Sequence, residues 1–172
     1  QETTSSTTVF TEQTIEETGS KTIYDLFNMA SNVNSINGDY GFTIRGIDNR
    51  GISGTSDVAS VYLDGAVMSS TSIRRTGFSL FDLEAVEILK GPQSTTQGRN
   101  ALAGAVHLRT TDPDYDLEGK SQFIVHDAGA YNLAAAQNLT IVDDKVAARV
   151  MVDKFYTDGH VENITRNQDD WD

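Results

Sequence analysis

A chain of 172 residues can hold one domain with a real core, or one domain and part of another. Its 13 basic against 25 acidic residues give a formal charge of -12, which disfavours phosphate backbones and so excludes nucleic acid as a general partner. With no cysteine there is neither a disulfide framework nor a thiolate nucleophile, and no apolar run approaches the roughly 18 residues of a transmembrane helix, a test that alternating barrel strands escape.

The chain opens at Gln1-Glu2-Thr3 without a basic and then apolar leader, so any export signal is expected to be absent or already removed. A short strand is expected around Thr7 to Thr11. Thr11 to Thr18 carries Glu12, Glu16 and Glu17 and reads as a short acidic helix ended by Gly19. Thr22 with Asp25 three residues on has capping-box spacing, and Ile23, Leu26, Phe27 and Ala30 fall on one face of a second helix. From Asn32 the texture turns to short β-rich runs, with strands expected at Phe42 to Ile47, Ser60 to Leu63, Ala85 to Leu89 and Gly104 to Thr110. Asp48 to Asp57 and Gly65 to Ser79 are longer than hairpins require, and long loops tend to carry function.

The pattern changes after Asp112-Pro113, and a boundary is expected near Leu117, giving a first domain 1–117 and a second segment 118–172. Three segments follow: Glu118 to His126, Tyr131 to Ile141 and Val146 to Tyr156. In the second, Tyr131, Leu133, Ala135, Leu139 and Ile141 share a face, with Gln137 as the polar exception. In the third, Val146, Ala148, Val150 and Val152 alternate with a face carrying Arg149 and Asp153. Alternation alone fits either a soluble sandwich or a lipid-facing barrel, and Tyr131 and Tyr156 stand where an aromatic girdle would.

Val86 to Thr110, VEILKGPQSTTQGRNALAGAVHLRT, resembles the plug signature of TonB-dependent outer-membrane receptors: a strand into Lys/Arg-Gly-Pro, a turn, Gly-Arg, and an Ala/Gly-rich return strand. Phe10-Thr11 with its acidic helix, TIRGI (Thr43 to Ile47) and VYLDGA (Val61 to Ala66) occur in the family's order and spacing. The resemblance covers roughly Val9 to Val161. The signature residues it marks are Gly46, Asp64, Gly65, Gly91, Pro92, Gly98, Arg99 and Gly104. Read physically, Gly91-Pro92 ends a strand in a corner, and the small residues between Gly98 and Gly104 permit close backbone approach or, more plainly, a loop with flexible ends.

The resemblance implies an α+β fold: a small mixed β-sheet plug with short helices, followed by antiparallel strands of a truncated transmembrane β-barrel. In the family a barrel of about 22 strands encloses the plug. It implies import of a ferric siderophore or similar iron chelate across a Gram-negative outer membrane, driven by TonB with ExbB and ExbD through a box upstream of Gln1. Arg45 and Lys90, cations in apolar strand contexts, would latch the plug to acidic residues of its own barrel wall; local pairing or solvation is the alternative. Asn49, Arg50 and Ser53 in one long loop and Arg74 and Arg75 in the other would meet an anionic chelate, or simply be solvated. Cobalamin or oligosaccharide cargo, or a soluble plug-like binding module, are the competing readings.

Other signals carry less. Asp112-x-Asp114-x-Asp116 has the start of a calcium loop, but Leu117 stands where glycine belongs and Phe123 where glutamate does. His107, His126 and His160 have no partner at metal-site spacing, so neither metal nor cofactor is expected. Glu84 and Glu87, three apart in a strand, face opposite sides, and no catalytic constellation points to an enzyme.

Overall fold

A computed structural model describes residues 6–36, 41–49, 58–69, 72–73, 79–92, 102–125, 130–156, 161–163 and 168–170. The chain divides into two compact units, Gln1–Thr111 and Asp112–Asp172. Among the described residues no helix is long and apolar enough to cross a membrane.

The first unit runs β1 (Ser6–Thr11), α1 (Glu12–Thr18), α2 (Ile23–Met29), β2 (Val33–Ile36), β3 (Gly41–Ile44), β4 (Ile47–Asp48), β5 (Ala59–Leu63), β6 (Ala66–Val67), β7 (Leu83–Lys90) and β8 (Gly104–Thr110). Both expected helices form. The Thr11 side chain caps α1 by accepting from the Thr14 N–H. At the start of α2 the Asp25 carboxylate accepts from the N–H groups of Thr22 and Lys21, satisfying donors that a helix start leaves orphaned. The face that α2 buries is the one its spacing predicts: Ile23, Leu26 and Phe27 are fully enclosed.

Five strands form a mixed sheet in the order β1-β7-β8-β5-β6, with β5 and β8 parallel and the other pairs antiparallel. Its inner face presents Phe10, Val61, Val86, Ile88, Val106 and Leu108 to a core shared with the helices. A second sheet, β2-β3-β4, closes that core, and Phe27 of α2 meets Phe42 of β3 with ring centroids 4.5 Å apart. Here the structure corrects the sequence reading. Phe42 to Ile47 is a hairpin in the small sheet, not a strand of the main one, because Arg45 and Gly46 both take positive φ (52° and 79°) and reverse the chain between the paired Ile44 and Ile47. Two consecutive left-handed residues are the geometry of a tight hairpin whose twist matches its strands.

The second unit is an antiparallel meander of β9 (Gly119–Val125), β10 (Tyr131–Val142) and β11 (Val146–Tyr156), plus a short pair, β12 (Val161–Asn163) with β13 (Gln168–Asp170). Paired residues share a face, so the register sorts the meander's two sides. One side carries Tyr131, Leu133, Ala135 and Leu139 of β10, Phe123 and Val125 of β9, and Val150, Val152 and Tyr156 of β11. The other holds polar pairs: Asn132 donates to Asp153 at 2.6 Å and Arg149 to Asn138 at 2.7 Å. Tyr131 and Tyr156 stack at one end, with centroids 5.1 Å apart.

Candidate functional site

The signature residues gather around the ends of β7 and β8. Lys90 closes β7, and Gly91 and Pro92 follow it out of the sheet. Gly104 opens β8, where an added Cβ would run into the Leu89 carbonyl oxygen and the Ile44 side chain, so any larger residue would push β7 and β8 apart. At the other end of β8, the turn Asp64-Gly65 between β5 and β6 takes φ of 47° and 82°. The Asp64 carboxylate accepts from the Thr110 N–H at 2.9 Å and its hydroxyl at 2.8 Å, while the Asp64 N–H donates to Leu108. One side chain thus fastens the hairpin to the end of the parallel partner strand. Gly98 and Arg99 lie outside the described residues.

Arg45 sits at the tip of the β3–β4 hairpin. Its N–H donates to the Asn32 carbonyl at 2.8 Å, which fixes the turn, and its guanidinium lies over Gly91, close enough that a Cβ there would come within 3.1 Å of Nη1. The structure therefore brings together Arg45 and the Lys90-Gly91-Pro92 corner, two pieces far apart in sequence. Arg45 remains exposed.

Lys90 differs. It is 3% exposed, and its ammonium donates to Thr8 Oγ1 at 2.9 Å, Ser31 Oγ at 3.1 Å and the Ser31 carbonyl at 3.2 Å. An ammonium has three N–H donors. All three contacts lie inside this unit and tie Lys90 to Thr8 and Ser31. Serine and threonine oxygens supplied no charge pattern that sequence could have matched to Lys90.

Of the residues expected to meet substrate, Arg50, Ser53, Arg74 and Arg75 lie outside the described residues. Asn49 is described and is 5% exposed. Its Oδ1 accepts from the Phe42 N–H at 3.1 Å and its own N–H donates to Phe42 O at 2.9 Å, extending the small sheet beyond β4. The Asn49 carboxamide oxygen is thus committed to the backbone of β3.

On the outer face of the main sheet, His107 stacks on Tyr62 with ring centroids 4.9 Å apart and planes within 10°. His107 lies opposite Glu87 in the β7–β8 register, and its Nε2 is buried without a hydrogen-bond partner. Burial lowers its pKa below the ordinary value, and the Glu87 carboxylate acts against that shift. Glu84 on the same strand pairs with Arg109 at 3.0 Å. Among the described residues no cluster of three metal-ligating side chains occurs.

A helix-backed mixed sheet with two tight signature hairpins is followed in sequence by strands with one apolar-rich side, which also carries Gln137 and Lys154, an alternation that barrel strands share. A model of the TonB-dependent receptor plug domain matches residues 1–105, and the chain belongs to that family. It is similar to the pesticin receptor of Yersinia pestis, 29% identical over 125 residues that make up 70% of this chain and 18% of the receptor. It is also similar to the catecholate siderophore receptor Fiu of Escherichia coli K12, 32% identical over 67% of this chain and 15% of the receptor. The chain thus spans less than a fifth of these relatives' length. Among solved structures, the ferric yersiniabactin uptake receptor FyuA from Yersinia pestis superposes with a TM-score of 0.81 at 23% identity, covering 97% of this chain and 26% of that one. The alcaligin outer membrane receptor FauA from Bordetella pertussis gives 0.74 at 21% identity, covering 91% and 27%. These likenesses show that the fold extends past the plug and through the meander.

Proposed function

We propose that this chain is the gate and the first barrel strands of an outer-membrane importer that takes up a ferric siderophore in a Gram-negative bacterium, driven by TonB with ExbB and ExbD. The observation that carries the reading is a plug-family domain over residues 1–105 running into a meander with one apolar side. The functions of the relatives, a catecholate siderophore receptor and a ferric yersiniabactin uptake receptor, support iron chelate as the cargo class. In this reading the plug fills the barrel lumen and TonB engages a box on the N-terminal side of β1. Arg45, exposed on an anchored turn, latches to an acidic wall residue. Arg50, Ser53, Arg74 and Arg75 face an anionic chelate, whose charge the guanidinium groups complement within an otherwise acidic chain.

The test is uptake. In an iron-starved Gram-negative host stripped of its own siderophore receptors, expression of the reading frame that carries this chain should restore accumulation of one radiolabelled ferric chelate from a panel of catecholates, hydroxamates and phenolates. That accumulation should stop when TonB is deleted. Uptake of cobalamin or an oligosaccharide instead would move the cargo while keeping the mechanism. Accumulation that persists without TonB would overturn the energy coupling, and no uptake of any cargo would overturn the importer.

A further inference from the structure

The first strand is lightly held. Among the described residues β1 lies at an edge of the main sheet and pairs only with β7. Of its six residues only Phe10 is buried; Ser6 and Thr7 are exposed, and Val9 is 52% exposed. Its second side-chain anchor is Thr8, half-buried, whose hydroxyl accepts from the Lys90 ammonium. Lys90 does not sit opposite Thr8, since the register pairs Lys90 with Ser6 and Thr8 with Ile88. The lysine instead reaches diagonally along the inner face to Thr8 and, with its remaining donors, across to Ser31 in the link between α2 and β2. One ammonium thus ties the edge strand, the end of β7 and the exit of the second helix at a single point. These acceptors are neutral hydroxyl and carbonyl oxygens, and the group is buried, so losing any one of them leaves a charge partly unsatisfied away from water. That makes each bond costly to break alone.

Order along the chain matters. A strand drawn out from its N-terminal end releases Ser6 and Thr7 first, then Thr8, and only afterwards Phe10. We infer that Lys90 is a positioning residue that clasps the first strand, so that, among the described residues, the Thr8–Lys90 bond is the first side-chain interaction a pull from the N-terminal end of β1 must break, before the buried Phe10 leaves the core. This rests on the importer reading only for the source of the pull; the clasp itself is a property of the fold. It also assigns Lys90 a task distinct from that of Arg45: the arginine is exposed to the surroundings, while the lysine governs whether the domain's own first strand stays seated.

The test uses the whole receptor carrying this chain, in detergent micelles and without substrate. Hydrogen exchange read by mass spectrometry would compare wild type with Thr8→Val, which keeps shape and removes the acceptor, with Lys90→Met, which keeps the stem and removes the donors, and with the double variant. Each single variant should speed exchange of peptides spanning residues 6–11 by about tenfold, the scale of one charge-assisted hydrogen bond. Peptides over β5 and β8 should not change. The double variant should be no faster than Lys90→Met, because both changes remove the same bond. In single-molecule pulling from the N-terminus, the first extension step should occur at lower force in both variants. Unchanged exchange over 6–11, additive effects in the double variant, or acceleration spread evenly over the plug would each overturn the clasp. If Lys90→Met does not fold, Thr8→Val alone decides, since it alters a half-buried side chain on an edge strand. Neither readout involves transport, so a receptor that imports no iron chelate can still show the clasp, and an active importer can still lack it.

Discussion

At the scale of single residues, environment rather than identity separates tasks that sequence had grouped. Arg45 and Lys90 read alike as cations in apolar strands, yet one is exposed on a turn and the other is spent on three oxygens inside the core. Asn49 read as a loop residue facing a ligand because Asn beside Arg and Gly is a loop signal; the backbone geometry at Phe42 that it satisfies is invisible without the hairpin. His107 offers a measurable consequence. Its folded pKa is depressed from the ordinary 6.5, so below that value the unfolded chain binds a proton more readily than the folded one. The stability it contributes is therefore whole above the ordinary histidine range and is lost as pH falls through that range toward the depressed folded value. Denaturant midpoints measured from about pH 7.5 to 5.5, the span in which histidine titrates, should fall with pH for wild type. They should fall less for His107→Phe, which keeps a ring against Tyr62. Equal slopes would show that another group is responsible, and Glu87→Gln should steepen the wild-type slope by removing the carboxylate that favours the charged imidazole.

At the scale of elements, strong periodicity was legible and chain reversal was not. The stripe Ile23, Leu26, Phe27 placed α2 correctly, and Ala85 to Leu89 and Gly104 to Thr110 lie within β7 and β8. Phe42 to Ile47 looked like one strand because Phe42 and Ile44 alternate with Thr43 and Arg45, and Arg45-Gly46 is not one of the Asn-Gly or Asp-Gly pairs that signal a tight hairpin. Only the positive φ at Arg45, unusual for a residue with a long side chain, reveals the reversal. The same conformation gives the latch proposal its sharpest form, for the turn is pinned by the Asn32 carbonyl and its guanidinium is held over Gly91. On that proposal, Arg45→Ala in the whole receptor should loosen the plug while leaving substrate affinity within about twofold, since it would remove a wall contact and leave the long loops intact. Affinity, uptake and entry of large antibiotics should be measured separately. Altered uptake or antibiotic entry at constant affinity is the expected pattern, and a variant normal in both would exclude the latch.

At the scale of the whole molecule, the two units dispose their apolar residues differently. The first buries its apolar residues in one core, whereas the meander turns many of its own outward: Phe123 is 65% exposed, Val125 70%, Leu133 50%, Val150 51% and Val152 62%. Contiguous apolar surface of this kind marks a place meant for a partner or for lipid. Sequence alone left a sandwich and a barrel both open for these strands, because each produces alternation; the fold likeness running through the meander favours the barrel. A barrel closes with about eight strands at the least, and the meander supplies three, so that among the described residues β9 and β11 are edge strands beside an apolar-rich face. The 172-residue chain in plain buffer should therefore self-associate, and sizing across a dilution series should show the larger species giving way as concentration falls. Mild detergent, standing in for lipid, should release a smaller species at every concentration. Val152→Lys, which places a charge in the centre of the apolar side, should weaken association in buffer; the same change in a lipid-embedded receptor should cost about 2–4 kcal/mol if the residue lies near mid-membrane. Arg149→Gln, on the polar side, should leave association unaltered. A chain that stays monomeric in buffer at all concentrations would show that this face is covered from within, and the meander could then not be read as a lipid-facing wall.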